Sequence, residues 1–350
     1  MRVRFLIVSA VIWVASTGIG YPQTFTGMLD GYWSYNSNTP VFRFNNLRAF
    51  DVNDQAFSLN YGELAVNYKP GDVGIRVDLG FGDAAERIHS NPADTDIWRH
   101  FQQAYITAGK GKFTVDFGKW VTPVGAEVME TKDNWNYTRG VLFTFGKPFY
   151  HFGAKGTYVA TDKVTVGGYV VNGWDNVRDN NTAKTVGVMG AFKPTGKLAI
   201  NANFLFGQEN PISGYRELYD GVVNYTVTER FSLMANYEYG RDKTFGPGMF
   251  WQGAAVYGKV RAVDQLTVAS RYEWFGDTHN AFRTGNNQEL QSFTATSQIP
   301  WSGLTLWGEY RRDWSTVSPF IRTDGDVSVP ADNQDTFTVG VTYSVTKPEN

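Results

Sequence analysis

The chain has no cysteine and only four histidines in 350 residues. Disulfides, thiolate metal sites and cysteine nucleophiles are therefore excluded. The histidines, His89, His100, His151 and His279, are dispersed, and no two sit at a metal-ligand spacing, so neither a metal nor a cofactor is expected. An excess of either charge is also lacking: 32 basic against 34 acidic side chains give a net charge of −2, which argues against a nucleic-acid partner. Beyond the N-terminus, no apolar run reaches the roughly 20 residues that a membrane-spanning helix needs.

What is present first suggests export. Arg2 and Arg4 precede an apolar stretch over residues 5–14, followed by small residues through Gly18 and Gly20. This layout predicts a signal peptide over residues 1–20, cleaved near Gly20; the apolar core is about half the length of a transmembrane anchor. Removing Arg2 and Arg4 leaves 30 basic against 34 acidic side chains, a mature net charge of −4. With 16% aromatic residues, 37 glycines and 19% charged residues, the remainder suits strands and turns rather than helices or disorder.

A period of two recurs along the mature chain, and it places alternate side chains on opposite faces of a strand. It predicts sixteen strands near residues 24–35, 56–69, 72–82, 98–109, 112–119, 150–161, 163–173, 183–193, 197–207, 216–228, 230–241, 250–262, 264–275, 288–299, 303–313 and 334–345. Tight turns, such as Pro70-Gly71, Thr161-Asp162 and Pro194-Thr195-Gly196, alternate with long polar segments at 36–55, 83–97, 175–182, 276–287 and 315–333. Strands of about ten residues, an even count, and short turns opposite long loops describe one fold class: an all-β, transmembrane, up-and-down antiparallel β-barrel of about sixteen strands, with short periplasmic turns and long extracellular loops. The expected domain is a single barrel over residues 21–350.

Side-chain parity supports that reading over a soluble sandwich. One face carries Val73, Ile75, Val77, Leu79 and Phe81, and likewise Phe337, Val339, Val341, Tyr343 and Val345. The other carries Arg76 and Asp78, Asn236 and Glu238, Arg271 and Glu273, Glu309 and Arg311. A Lys or Arg on a lipid face at mid-bilayer costs about 2–4 kcal/mol, and the apolar face is nearly free of charge. Aromatic residues gather toward strand ends, with Trp33, Trp98, Trp174, Trp251, Trp274 and Trp314 toward the loops and Tyr68, Phe192, Tyr225 and Trp301 toward the turns, as two interfacial girdles require. A propeller finds no regular repeat of about 40 residues to support it.

The pattern breaks between residues 120 and 149. A barrel of this size leaves an aqueous channel unless something fills it, and this segment is the expected internal constriction loop. Its Gly and Pro residues favour repeated turning, while Val141 to Phe145 could pack against the wall. The run Gly118-Lys119, Thr122-Pro123, Gly125, Glu127-Val128, Arg139-Gly140, Pro148, His151 and Gly153 resembles the characteristic stretch of the OmpL-like outer-membrane β-barrel porin family. The resemblance implies a passive pore in the outer membrane of a Gram-negative bacterium, with residues 120–149 as a pore-associated loop. It implies no catalytic residue. In one respect the chain departs from outer-membrane barrels: it continues past Tyr343 and Val345 into a polar tail, so the signal read by the barrel assembly machinery is expected to be internal.

The candidate site follows. Glu127, Glu130, Lys132, Asp133 and Arg139 belong to the loop, and Arg76, Arg99, Asp116, Lys155, Arg271 and Arg311 to the pore wall. Loop acids facing wall bases would set a transverse field, as rings of charge do in selective pores; ordinary wetted charges paired with their neighbours are the plainer alternative. The expected function is a water-filled channel for small hydrophilic solutes or ions, lying in membrane lipid. A homotrimer is expected by analogy with barrels of this size. Two other readings stand beside it: a non-conducting barrel whose extracellular loops bind a ligand or partner, and a rim hydrolase assembled from His100, His279, Ser90, Asp94, Asp96 and Asp277. Asp324, Asp326 and Asp332 lack EF-hand spacing and read as a solvated loop, and His151 reads as a structural hydrogen-bonding residue.

Overall fold

Period-two alternation becomes sixteen wall strands in the computed structural model of the protein, which describes residues 23–89, 96–209, 214–244, 249–277 and 283–348. In the first half the strands are β1 (Gln23–Asn36), β2 (Ser58–Tyr68), β3 (Val73–Phe81), β4 (Phe101–Lys110), β5 (Phe113–Val121), β6 (Tyr150–Thr161), β7 (Val164–Val171), β8 (Thr185–Thr195) and β9 (Leu198–Gly207). They continue as β10 (Arg216–Thr226), β11 (Phe231–Asp242), β12 (Met249–Val263), β13 (Leu266–Asp277), β14 (Gln288–Trp301) and β15 (Leu304–Ser315). A small hairpin follows, β16 (Phe320–Asp324) with β17 (Val327–Ala331), and then the last wall strand, β18 (Asn333–Pro348).

Each wall strand pairs antiparallel with its neighbour in sequence, β15 pairs with β18 across the small hairpin, and β18 closes the barrel onto β1 from Thr24↔Pro348 to Asn36↔Thr336. Closure leaves no unpaired edge, which is the condition for a strand protein to cross lipid. The sixteen strands read from alternation are the sixteen that close. Residues 1–20, expected as a signal peptide, lie outside the described residues.

Large apolar side chains point outward, with Val339 62%, Phe117 59% and Val256 53% exposed, while Glu238, Glu273 and Arg271 on alternate positions are almost wholly covered inside. Three expectations need correction. Leu79 keeps the parity of the greasy face, opposite Leu64 of β2, yet is only 3% exposed. Trp174 and Trp251, assigned to the girdle, are buried and pack edge to face at 5.9 Å; Trp251 shares the inward parity of Met249 and Gly253. Arg99 is not on the wall: β4 begins at Phe101, and residues Asp96–His100 form a 3₁₀ turn ahead of it.

Two short α-helices interrupt the loops, α1 (Asp83–Ile88) in the second long loop and α2 (Val141–Phe145) in the segment between β5 and β6. Strand-like by composition, Val141 to Phe145 coils because Glu273 of the wall accepts the backbone N–H groups of Val141 and Leu142, both at 3.2 Å, at the start of that turn. The segment expected as an uninterrupted loop at 315–333 contains the β16–β17 hairpin.

Candidate functional site

Between Val121 and Tyr150 the chain leaves the wall and folds into the lumen against β1, β9 and β11–β15. Its backbone lacks strand partners, so wall side chains satisfy it. Asn203 on β9 donates to the carbonyl of Pro123 at 3.1 Å, and Asn236 on β11 accepts the N–H of Ala126 at 3.1 Å. Trp251 on β12 donates to the carbonyl of Gly146 at 3.0 Å, and Gln298 on β14 to that of Trp135 at 2.6 Å. Glu309 on β15 accepts the backbone N–H groups of Tyr137 at 2.7 Å and Thr138 at 3.1 Å, and the Thr296 hydroxyl at 2.6 Å. On β1, Asp30 accepts the hydroxyls of Thr131 at 2.5 Å and Tyr137 at 2.6 Å.

Charged residues of the loop and the wall meet in the same layer. Arg271 Nη1 lies 2.5 Å from Glu127 Oε1 and donates to the carbonyl of Thr138 at 2.7 Å, while its Nε lies 2.8 Å from Glu273 Oε2. The other Glu127 oxygen accepts the Gly140 N–H at 2.7 Å. Arg311 reaches the Arg139 carbonyl at 2.6 Å and Asp313 at 2.8 Å. Arg139 binds its own loop, donating to the carbonyls of Val128 at 2.8 Å and Met129 at 2.5 Å. Glu127, Arg139, Arg271 and Arg311 are all at most 4% exposed. In so dry a layer an unpaired charge is expensive, which makes these pairs fasteners of the loop rather than wetted pore charges.

The remaining predicted residues are placed differently. Glu130 is half-buried, and its backbone carbonyl accepts the Asn134 side-chain amide at 2.8 Å. Lys132 and Asp133 form a solvent-exposed pair at 2.5 Å. On the wall from β3 to β6, Arg76 pairs with Asp78 at 3.0 Å and Lys155 with Asp116 at 3.1 Å, and both pairs keep partial exposure within the barrel. Arg99 sits 3.8 Å from Glu86 of α1, in the outer loops.

Sequence reasoning missed several anchors. Arg48, in the first long loop, is buried beside Asp51 and lies 2.7 Å from Asp313. Asp175, in a left-handed backbone conformation at φ 55°, accepts the N–H groups of Phe149 at 2.6 Å and Tyr150 at 3.2 Å where the luminal loop rejoins the wall. Burial pushes its carboxyl up to about 7. One signal was available: inward-facing glycines on strands otherwise lined by large residues. A Cβ on Gly340 would stand 2.3 Å from the Tyr137 ring, and one on Gly253 would stand 2.7 Å from Leu142, so each glycine marks where the loop touches the wall.

Around the outer rim, His100 meets the Gly80 carbonyl at 3.2 Å, and His89 meets the Ala85 carbonyl at 2.7 Å while stacking on Tyr150. Burial, with Lys119 next to it, holds the His89 imidazole down at about 3. Asp277 accepts the backbone N–H groups of Arg283 at 2.8 Å and Thr284 at 2.6 Å, a loop-bracing role. Ser90, Asp94 and His279, the other parts of the expected hydrolase grouping, lie outside the described residues, as does the side chain of Asp96. Among the described residues no group of three or more His, Cys, Asp or Glu could hold a metal ion.

With a closed sixteen-stranded barrel and an inward loop in place, comparison with known proteins is informative. The model of the β-barrel porin-2, OmpL-like family matches residues 22–345. The chain belongs to this family. Membership in that porin family, with an outward apolar face, makes the protein a porin-like barrel of a Gram-negative outer membrane, in contact with its lipid. No curated protein matches the chain in sequence. Solved structures share the fold at low identity. An anion-selective porin from Comamonas acidovorans is 10% identical with a TM-score of 0.62, covering 92% of this chain and 99% of its own. Salmonella typhi OmpF in complex with daunomycin is 14% identical with a TM-score of 0.62, covering 93% and 98%. In vitro folded OmpT of Vibrio cholerae, in its trimer form, is 13% identical with a TM-score of 0.61, covering 93% and 100%.

Proposed function

We propose that this family member is a passive channel for small hydrophilic solutes, narrowed by the segment 120–149. The observation that carries the reading is lopsided filling of the lumen. The loop is fastened to β1, β9 and β11–β15 through Asp30, Asn203, Asn236, Arg271, Glu309 and Arg311, whereas Arg76, Asp116 and Lys155 on the wall from β3 to β6 keep partial exposure. Water and solutes would pass between that wall and the loop, with Glu130, Lys132 and Asp133 bordering the passage. Passage would be driven only by concentration gradients.

Single-channel recording after reconstitution tests the reading. Discrete conductance steps are expected, and zero conductance from verified folded protein would overturn it. We also propose that a signal peptide ends near Gly20 and that the mature residues 21–350 form one barrel domain, which N-terminal sequencing of membrane-extracted protein checks. A homotrimer is the proposed assembly, the form described for one Vibrio cholerae OmpT structure; native mass measurement in detergent would reveal a monomer if that is wrong.

A further inference from the structure

At the short-turn end of the barrel, basic side chains outnumber acidic ones, with Lys69, Lys110 and Lys112 on or beside the β2–β3 and β4–β5 turns and a longer series on the arc from β6 to β13. Lys163 and Lys197 are exposed on the β6–β7 and β8–β9 turns, and Lys193 is exposed near the end of β8, next to the outward Phe192 and so on the lumen parity. The two turns touch: the N–H of Lys193 donates to the Lys163 carbonyl at 2.8 Å. The three lysines line an open concavity together with Ala199, Asn224 and Thr226, residues of the lumen parity on β9 and β10. Farther along the arc, Lys259 Nζ stands 4.5 Å over the ring of Trp135, a residue of the luminal loop, which fixes its direction inward. Arg261 follows two residues later on the same parity, and its N–H donates to the carbonyl of Arg230, which precedes β11. The acids on these turns are Asp162, which shares the concavity, Glu229 and Asp264, three against six bases.

Deeper in the lumen the balance differs. Arg76 is paired with Asp78 and Lys155 with Asp116, and Glu130 and Asp133 against Lys132 leave the passage no positive excess. Any preference for anions must then come from a mouth of the channel. Fixed charges act over about 10 Å at 0.1 M salt, comparable to the width of such an opening, and a low-dielectric rim focuses their field.

From this we propose that the turn-side mouth is an anion-collecting vestibule, so that the channel favours small solutes bearing phosphate or carboxylate groups over cations. The inference rests on the pore reading above and names its substrate class. It requires a net positive mouth, not a specific binding pocket, so the effect is graded with charge and falls with salt.

The experiment uses the full mature protein in planar bilayers under a potassium chloride gradient. The wild type is expected to give a reversal potential of chloride-selective sign. Lys163→Glu/Lys193→Glu/Lys197→Glu, three exposed turn positions that the barrel does not need for folding, is expected to lower the chloride-to-potassium permeability ratio by about threefold or more. Inorganic tripolyphosphate, added to each side in turn, is expected to reduce the current from one side only in the wild type and from neither side in the triple variant. An open channel with cation preference, or an unchanged reversal potential in the triple variant, overturns this inference and leaves the pore reading standing. Zero conductance from folded protein overturns both.

Discussion

Arg271 of β13 and Glu127 of the luminal loop, 144 positions apart in the chain, meet at 2.5 Å in a layer with almost no access to water. Around this pair the loop is built: Glu127 turns its second oxygen to Gly140, and Arg271 turns to Glu273 and to the Thr138 carbonyl.

Replacing one partner should therefore release the loop. Arg271→Met leaves Glu127 and Glu273 without their counter-charge and is expected to lower stability by about 3–5 kcal/mol. The Glu127→Gln/Arg271→Met pair should recover part of that loss, because no buried carboxylate at position 127 is then left alone. Urea unfolding in lipid reports the stability, and single-channel conductance reports the passage, expected to be larger and noisier in Arg271→Met. Equal midpoints and equal conductance would mean that the pair does not hold the loop.

Close approach at Gly340 allows a steric test without changing charge. A methyl group there meets the Tyr137 ring at 2.3 Å, so Gly340→Ala should push Tyr137 off its hydrogen bond to Asp30 at a cost of about 1–3 kcal/mol. Gly221→Ala, with nothing within 4 Å of the added carbon, serves as the control and should be silent. Thermal unfolding monitored by tyrosine and tryptophan fluorescence compares the two; equal shifts would contradict the contact.

His89 makes the outer loop sensitive to acid. Its imidazole is neutral in the fold because burial and Lys119 hold its titration down at about 3, against an ordinary value of 6.5. The unfolded loop therefore takes up a proton that the folded loop refuses, so the stability supplied by neutral His89 is complete above pH 6.5 and declines as pH falls toward 3. Hydrogen exchange in α1, corrected for its intrinsic pH dependence, is expected to rise between pH 7 and pH 4.5, and His89→Gln should flatten that rise. A profile unchanged by the substitution would remove His89 as the cause.

On the outer wall, Val256 is 53% exposed at mid-strand in β12, where lipid is expected. Val256→Arg should cost about 2–4 kcal/mol in a bilayer. Lys at the neighbouring inward position, Ala255→Lys, instead probes crowding beneath the loop. Urea unfolding in vesicles measures the first; a loss near zero would place this stretch outside the hydrocarbon.

Much of the wall was legible because a pleated strand has a strict period of two and the two sides of this wall face opposite solvents. Phe337 to Val345 and Arg271 with Glu273 declare their faces locally, and each strand could be found without knowing its neighbour. Errors fell where that local rule is overridden. Trp98, Arg99 and His100 continue the alternation of β4 yet coil into a 3₁₀ turn. Val141 to Phe145 looks like a strand but lacks a partner strand, and the Glu273 carboxylate starts a helix there. Trp251 reads as a girdle residue by its place near a strand end, yet its parity turns it inward, and the Gly146 carbonyl receives its N–H.

The amino-acid pattern alone determined the strand number, the two faces, the sorting of turns from loops and the location of the interruption at 120–149, because each depends on neighbours in the chain and on the choice between lipid and water. Tertiary structure alone decided which charges meet. Glu127 with Arg271, Glu309 with Tyr137 and Thr138, and Arg48 with Asp313 join residues brought together only by closing the barrel and folding the loop inside it. The same closure gathers Lys163, Lys193 and Lys197 at one mouth while burying Arg271 and Arg311 under the loop, so that equal charges in the sequence become different electrostatic roles.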